Sequence, residues 1–167
     1  MKKCVVWMMV ALLLTGCAAE PVYENIGDVW ANSEPVGSPG TIEFALPDGA
    51  QMEVLEDSDS KCYTVGEWEI WTQVYPGGDV RSTMEQETGI GGDALTIMER
   101  QTQGMSLYET AWSTTGEDGM KVGRTAVLDD GTYHYCVSVM VPETDAGEAG
   151  EFYNQILDSV TVSDIAP

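Results

Sequence analysis

Apolar and polar positions follow three different rules along this chain. Behind Lys2 and Lys3, residues 4–14 (Cys-Val-Val-Trp-Met-Met-Val-Ala-Leu-Leu-Leu) are apolar without interruption. Residues 18–40 show no clean period and are broken by three prolines and three glycines, the composition of a spacer. Within them Tyr23, Ile26, Val29 and Trp30 are spaced like one face of a short helix that can dock on the body. From Thr41 onward the pattern becomes short alternating runs between turn residues, which predicts strands.

Thr41–Leu46 and Ala50–Leu55 flank Pro47-Asp48-Gly49 and read as a hairpin. Tyr63–Tyr75 reads as one long strand with Trp68, Ile70, Thr72 and Val74 on one face and Glu67, Glu69, Trp71, Gln73 and Tyr75 on the other. Trp68 and Ile70 are assigned to the core. Asp79 caps a helix through Thr88, with Val80 and Met84 at i, i+4 and Gly89 as its stop. Ala94–Thr102, Ser106–Thr114, Met120–Leu128 and Thr132–Val141 are further strands, the last two joined by Asp129-Asp130-Gly131. Thr132–Val141 is apolar on one face (Tyr133, Tyr135, Val137, Val139, Val141) and not very polar on the other, as a central strand should be. Asp145 and Glu148 have capping-box spacing ahead of an amphipathic helix bearing Ala149, Phe152, Tyr153, Ile156, Leu157 and Val160. Two helices and about six hairpin-linked strands predict an α+β layer protein, with an antiparallel sheet on which the C-terminal helix packs.

The first regime is an address. Two positive charges, a short apolar core and a small-residue exit are the marks of a secretory leader, too short for a membrane-spanning helix, which needs about 20 apolar residues. Its exit, Leu14-Thr15-Gly16-Cys17, resembles the lipobox of bacterial lipoproteins. That resemblance implies cleavage of residues 1–16 and transfer of a diacylglycerol to the Cys17 thiol, with palmitate-type chains as the anchor. The other readings are an ordinary leader followed by an unrelated cysteine, or an uncleaved anchor. The implied organisation is a leader over 1–16, a lipidated Cys17 with a flexible acidic linker to residue 40, and one domain over 41–167, held on the extracytoplasmic face of a cell membrane.

Charge narrows the partners. With 28 acidic and 7 basic residues the formal net charge is −21, which argues against nucleic-acid binding. Loss of the leader removes Lys2 and Lys3, leaving Lys61, Arg81, Arg100, Lys121 and Arg124 as the only lysines and arginines. Such a body is repelled by anionic headgroups and stands off a membrane on its tether, while the acidity also serves solubility. Nothing in the chain matches a Gly-x-Ser-x-Gly elbow, a His-Glu-x-x-His helix or a phosphate-cradling glycine loop, so no cofactor is expected.

The order of hairpin, long strand, short helix, meander and closing helix Phe152-Tyr153-Asn154-Gln155-Ile156-Leu157-Asp158-Ser159 resembles the Mog1/PsbP-like fold, a curved antiparallel sheet flanked by helices. Asp93–Glu99 and Val122–Cys136 also resemble stretches of small lipoproteins of Gram-positive anaerobes. The resemblance spans most of residues 41–162. It implies a fold and carries over no catalytic residues.

Candidate sites are then weighed residue by residue. Cys4 leaves with the leader and Cys17 takes lipid, so Cys62 and Cys136 remain as one disulfide or two buried thiols. His134 shares a face with Cys136, but without a third orienting group it reads as a packed strand residue rather than a base. Glu56, Asp57 and Asp59 resemble the ligands of a calcium loop without its glycine or closing glutamate, and a solvated loop is the competing reading. Trp71 with Tyr75, and Tyr108 with Trp112, share strand faces; if uncovered they form a surface for a sugar ring or a protein partner. The expected role is a non-catalytic accessory or binding module at the cell envelope, with a glycan or envelope protein as partner. The alternatives are a small hydrolase acting on glycan or wall material through paired carboxylates, and a weak divalent-cation binder.

Overall fold

The computed structural model describes residues 37–54, 60–116 and 118–164. In chain order the elements are β1 (Thr41–Glu43), β2 (Gln51–Val54), β3 (Lys61–Val65), β4 (Trp68–Pro76), α1 (Val80–Thr88), β5 (Met98–Thr102), β6 (Met105–Gly116), β7 (Gly119–Asp129), β8 (Tyr133–Pro142), α2 (Ala149–Leu157) and β9 (Thr161–Ser163). Short 3₁₀ turns at Gly92–Ala94 and Glu143–Asp145 precede β5 and α2.

Seven strands form one antiparallel sheet in the order β2-β3-β4-β8-β7-β6-β5, and β1 pairs separately with β9. The fold is α+β, with one more strand in the main sheet than the alternation suggested. β8 lies at its centre, as its two-sided apolar pattern requires.

One face of the sheet carries the main core. Ile70, Leu107, Leu128, Tyr135, Val137, Val139 and Val141 are buried there under the α2 stripe of Phe152, Tyr153, Ile156 and Leu157. Trp68 packs edge-on against Phe152, with ring centroids 4.7 Å apart. The other face is only partly covered, by α1, over a small cluster of Met84, Leu95, Val127 and Cys136.

Four local expectations are corrected. Pro47-Asp48-Gly49 does turn the chain, with the Ala50 amide donating to the Pro47 carbonyl at 3.2 Å and Gly49 at φ +80°. Its flanking segments nevertheless do not pair, because β1 finds β9 and β2 finds β3. The Tyr63–Tyr75 run is two strands, folded back at Gly66-Glu67. Positive φ at Gly66 alone (+64°) is what a type II′ turn needs. Ala94–Thr102 begins as a 3₁₀ turn and becomes strand only at Met98, since Leu95 is drawn under α1. The Asp145–Glu148 capping box does not form: the Asp145 carboxylate accepts instead from the Trp68 indole N–H at 2.7 Å.

The caps of α1 follow the pattern. The Asp79 carboxylate accepts from the Ser82 amide at 3.0 Å and from its hydroxyl at 2.8 Å. Those bonds hold its pKa below the usual value. Gly89 closes the helix at φ +69°.

Among the described residues no helix is long and apolar enough to cross a membrane. The leader, Cys17 and the docking segment around Tyr23–Trp30 lie outside the described residues. Residues 37–40, the last of the expected linker, are tied to the sheet. The Tyr133 hydroxyl donates to the Gly37 carbonyl at 2.7 Å, and the Gly40 amide donates to the Tyr135 hydroxyl at 3.0 Å.

Candidate functional site

The four aromatic residues singled out from the sequence all project from the sheet face that α1 only partly covers. Register shows why: Trp71 lies opposite Ser138, Tyr75 opposite His134, Tyr108 opposite Val127 and Trp112 opposite Gly123. Trp71, Tyr75 and Trp112 wall a single cleft of about 220 Å³ beside α1, completed by Gln73, Gln86, Glu87, Ser138 and Met140. Tyr108 does not reach it. That residue lines a separate, shallower depression at the start of α1 with Asp79 and Asp129.

Trp112 is placed by a glycine. A Cβ on Gly123 would sit 2.5 Å from the indole ring, so the ring lies directly over the β7 backbone. Its N–H donates to the Thr125 hydroxyl at 2.9 Å, and Thr125 and Ser138 hydroxyls are 2.8 Å apart. The Ser138 hydroxyl then donates to the Glu87 carboxylate at 3.0 Å. An indole N–H can only donate. Thr125 accepts there and passes its own proton to Ser138, whose proton faces Glu87. The chain from β6 through β7 and β8 to α1 thus points every donor at one carboxylate, and such a chain strengthens itself by mutual polarisation.

The Tyr75 hydroxyl is a second partner of Glu87, and burial, reinforced by that carboxylate, pushes the phenol pKa well above its usual value. Burial raises the pKa of Glu87, and the bonds from Tyr75 and Ser138 oppose that rise; no positive charge is among the groups acting on it. Trp71 is fixed from outside the cleft, its N–H donating to Glu69 at 2.9 Å, while Lys121 holds the other Glu69 oxygen at 2.7 Å. Ser60 hydrogen-bonds the Gln73 side-chain oxygen. Among the described residues, Glu87 is the only carboxylate lining the cleft.

Sequence reasoning missed Glu87. The signal was present: with Val80 and Met84 on the covered side of α1, position 87 continues that stripe at i+7, so an acid there must face the sheet.

Cys62 and Cys136 are both buried free thiols. β4 separates them, with Cys62 opposite Trp71 and Cys136 opposite Gln73. Two strand spacings put their backbones about 10 Å apart, beyond disulfide reach, so of the two expected states the thiols are the one adopted. Burial pushes the Cys62 thiol up to about 11 and Cys136 well above its usual value. Neither is activated as a nucleophile.

His134 is fully buried beneath α1. Its Nδ1 lies 2.7 Å from the Thr83 hydroxyl, and its Nε2 has no hydrogen-bond partner, with an Asp129 oxygen 3.8 Å away. Burial lowers its pKa against the opposing pull of Asp129, Asp130 and Asp79, which keeps the ring neutral at pH 7. The loop bearing Glu56, Asp57 and Asp59 lies outside the described residues. Among those described, no group of three or more His, Cys, Asp or Glu side chains is disposed to hold a metal ion.

No family model matches the sequence, and no curated protein matches it. Solved structures do resemble it. Cyanobacterial PsbP (CyanoP) from Synechocystis sp. PCC 6803 superposes with a TM-score of 0.56 at 10% identity, over 76% of this chain and 95% of that one. A protein from Bacteroides thetaiotaomicron VPI-5482 does so at 0.52 and 12% identity, over 76% of this chain and 47% of that one. LpqN of Mycobacterium tuberculosis, involved in cell envelope biogenesis, gives 0.49 and 12% identity over 82% of this chain and 96% of that one. Together with the antiparallel sheet and its helices, the first of these likenesses establishes a PsbP/Mog1-like fold for this chain.

Proposed function

We propose that this chain is an extracytoplasmic lipoprotein, held to a bacterial membrane through Cys17, whose domain is a non-catalytic binding module at the cell envelope. The anchor rests on the leader and on Leu14-Thr15-Gly16-Cys17. The binding role rests on one observation: three aromatic side chains on β4 and β6, which need not be neighbours in any core, converge with a half-buried acid on an open cleft. A cleft that sets aromatic walls beside placed polar groups is where ligands bind.

A hydrolase working through two carboxylates is the second reading. The cleft supplies one, and the nearest imidazole is sealed beneath α1. That supports binding over hydrolysis.

The test compares the chain with a Trp71→Ala/Trp112→Ala variant, its fold checked by circular dichroism, for retention on immobilised envelope glycans and defined envelope components. Retention lost in the variant supports the module. Release of reducing ends from a glycan, abolished by Glu87→Gln, would replace this reading with the hydrolase.

A further inference from the structure

We infer that the cleft beside α1 takes a small alkylammonium group, seated against Trp71, Tyr75 and Trp112 and paired with the Glu87 carboxylate. The inference deepens the proposal above and rests on its reading of this cleft as a binding site.

Three observations point to a cation. The first is the direction of the hydrogen-bond chain. Trp112, Thr125 and Ser138 form a single file whose last proton faces Glu87, and Tyr75 adds a second contact to the same carboxylate. Those donors only partly offset the cost of burying the Glu87 charge, and no basic residue is among the groups acting on it, so a cationic ligand would supply the missing counter-ion.

The second is what the walls offer. Both indole N–H groups are already donated to protein, Trp71 to Glu69 and Trp112 to Thr125. With those donors committed, the two indoles can meet a ligand in the cleft only through their rings. Aromatic faces attract cations, most of all in a partly desolvated site.

The third is the field around the cleft. The formal charge is −21. Arg100 and Arg124 are on the opposite face, both on Glu109, and Lys121 is held by Glu69. Anionic ligands are repelled from this surface and cations are concentrated at it. The cleft of about 220 Å³ is below the size of a drug-like pocket and suits a compact head group.

The probes are choline, tetramethylammonium and 3,3-dimethylbutan-1-ol, the last being choline's uncharged carbon isostere. Calorimetry and tryptophan emission are read on the lipid-free Cys17→Ser chain. Choline and tetramethylammonium should bind saturably at millimolar or lower concentration, and the isostere should not. Glu87→Gln keeps the shape and should weaken choline about tenfold or more. Trp112→Phe, which keeps a ring, should weaken it less than Trp112→Leu. Binding should tighten as pH rises and Glu87 ionises. Equal binding of the isostere, no saturable response to either cation, or undiminished binding to Glu87→Gln with its fold intact each overturns the ammonium assignment. If glycan or envelope-component retention still depends on Trp71 and Trp112 in that event, the binding module stands without it; if that dependence is also missing, both fall.

Discussion

Gly123 lacks a side chain because Trp112 fills the space where one would go, and that single vacancy sets one wall of the cleft. Gly123→Ala must push the indole off β7 and break its bond to Thr125. We expect a loss of about 1–3 kcal/mol in urea unfolding and a changed tryptophan emission; an unchanged midpoint would mean the ring is placed some other way. Glu87 makes a pH-dependent prediction. Its folded pKa is raised from 4.5, so as pH climbs past 4.5 the unfolded chain loses this proton before the folded one. The native state then binds more protons, and stability falls with rising pH until the folded group has also ionised. Glu87→Gln removes that slope. The stability of the variant relative to the parent chain should therefore grow across that window, measured as the difference in unfolding midpoints. His134 runs the other way. Its pKa lies below 6.5 in the fold, so the unfolded chain takes up the proton first and stability falls as pH drops below 6.5. A His134→Gln chain, with an amide to meet Thr83, should show a shallower acid loss.

At the level of elements, what was legible followed local chemistry and what was not depended on distant partners. α1 could be read because both of its caps, Asp79 and Gly89, lie in sequence next to it. β8 could be placed at the centre because its own alternation demands burial on both faces. β1 is legible as a strand but its partner is not, and β9 is not legible at all. Each is only three residues long and is a strand only because the other, some 120 positions away, supplies its hydrogen bonds. Asp145 fits a capping box on spacing alone, yet Trp68, far away in sequence, competes for its carboxylate and wins. The cleft shows the same division. Its aromatic residues were visible as strand pairs, but their meeting needed the order β4-β8-β7-β6, which no single segment encodes. The intervening β4 also settles the cysteines. Without reductant, N-ethylmaleimide followed by peptide mapping should label Cys62 and Cys136 only after unfolding, and should then label both; a peptide pair linked through them would contradict the register.

The whole molecule is strongly acidic, and its proposed anchor lies near one end of the chain. Cys17→Ala should abolish incorporation of labelled palmitate and move the protein out of the membrane fraction or leave it uncleaved; continued acylation would remove the anchor from the proposal. The charge of −21 makes self-repulsion a global term. Raising ionic strength from about 0.01 M to about 0.15 M shortens the screening length from about 30 Å to about 8 Å, so the thermal midpoint should rise with salt. The way the segment ahead of β1 is held also decides how the domain meets force. Gly37 is held by Tyr133 and Gly40 by Tyr135, both on β8, and the chain then runs into the three-residue β1–β9 ladder, which is separate from the seven-stranded sheet. Tension arriving from the N-terminal side falls on those two side-chain bonds and that short ladder ahead of the strand-to-strand bonds of the main sheet. None of those contacts is made by a residue lining the cleft, so the corner can peel while the cleft walls on β4, β6, β8 and α1 stay paired. We expect this attachment to behave as a shock absorber that yields before the part of the molecule that would hold a ligand, so that pulling from the N-terminal side releases a short first extension ahead of the main unfolding event.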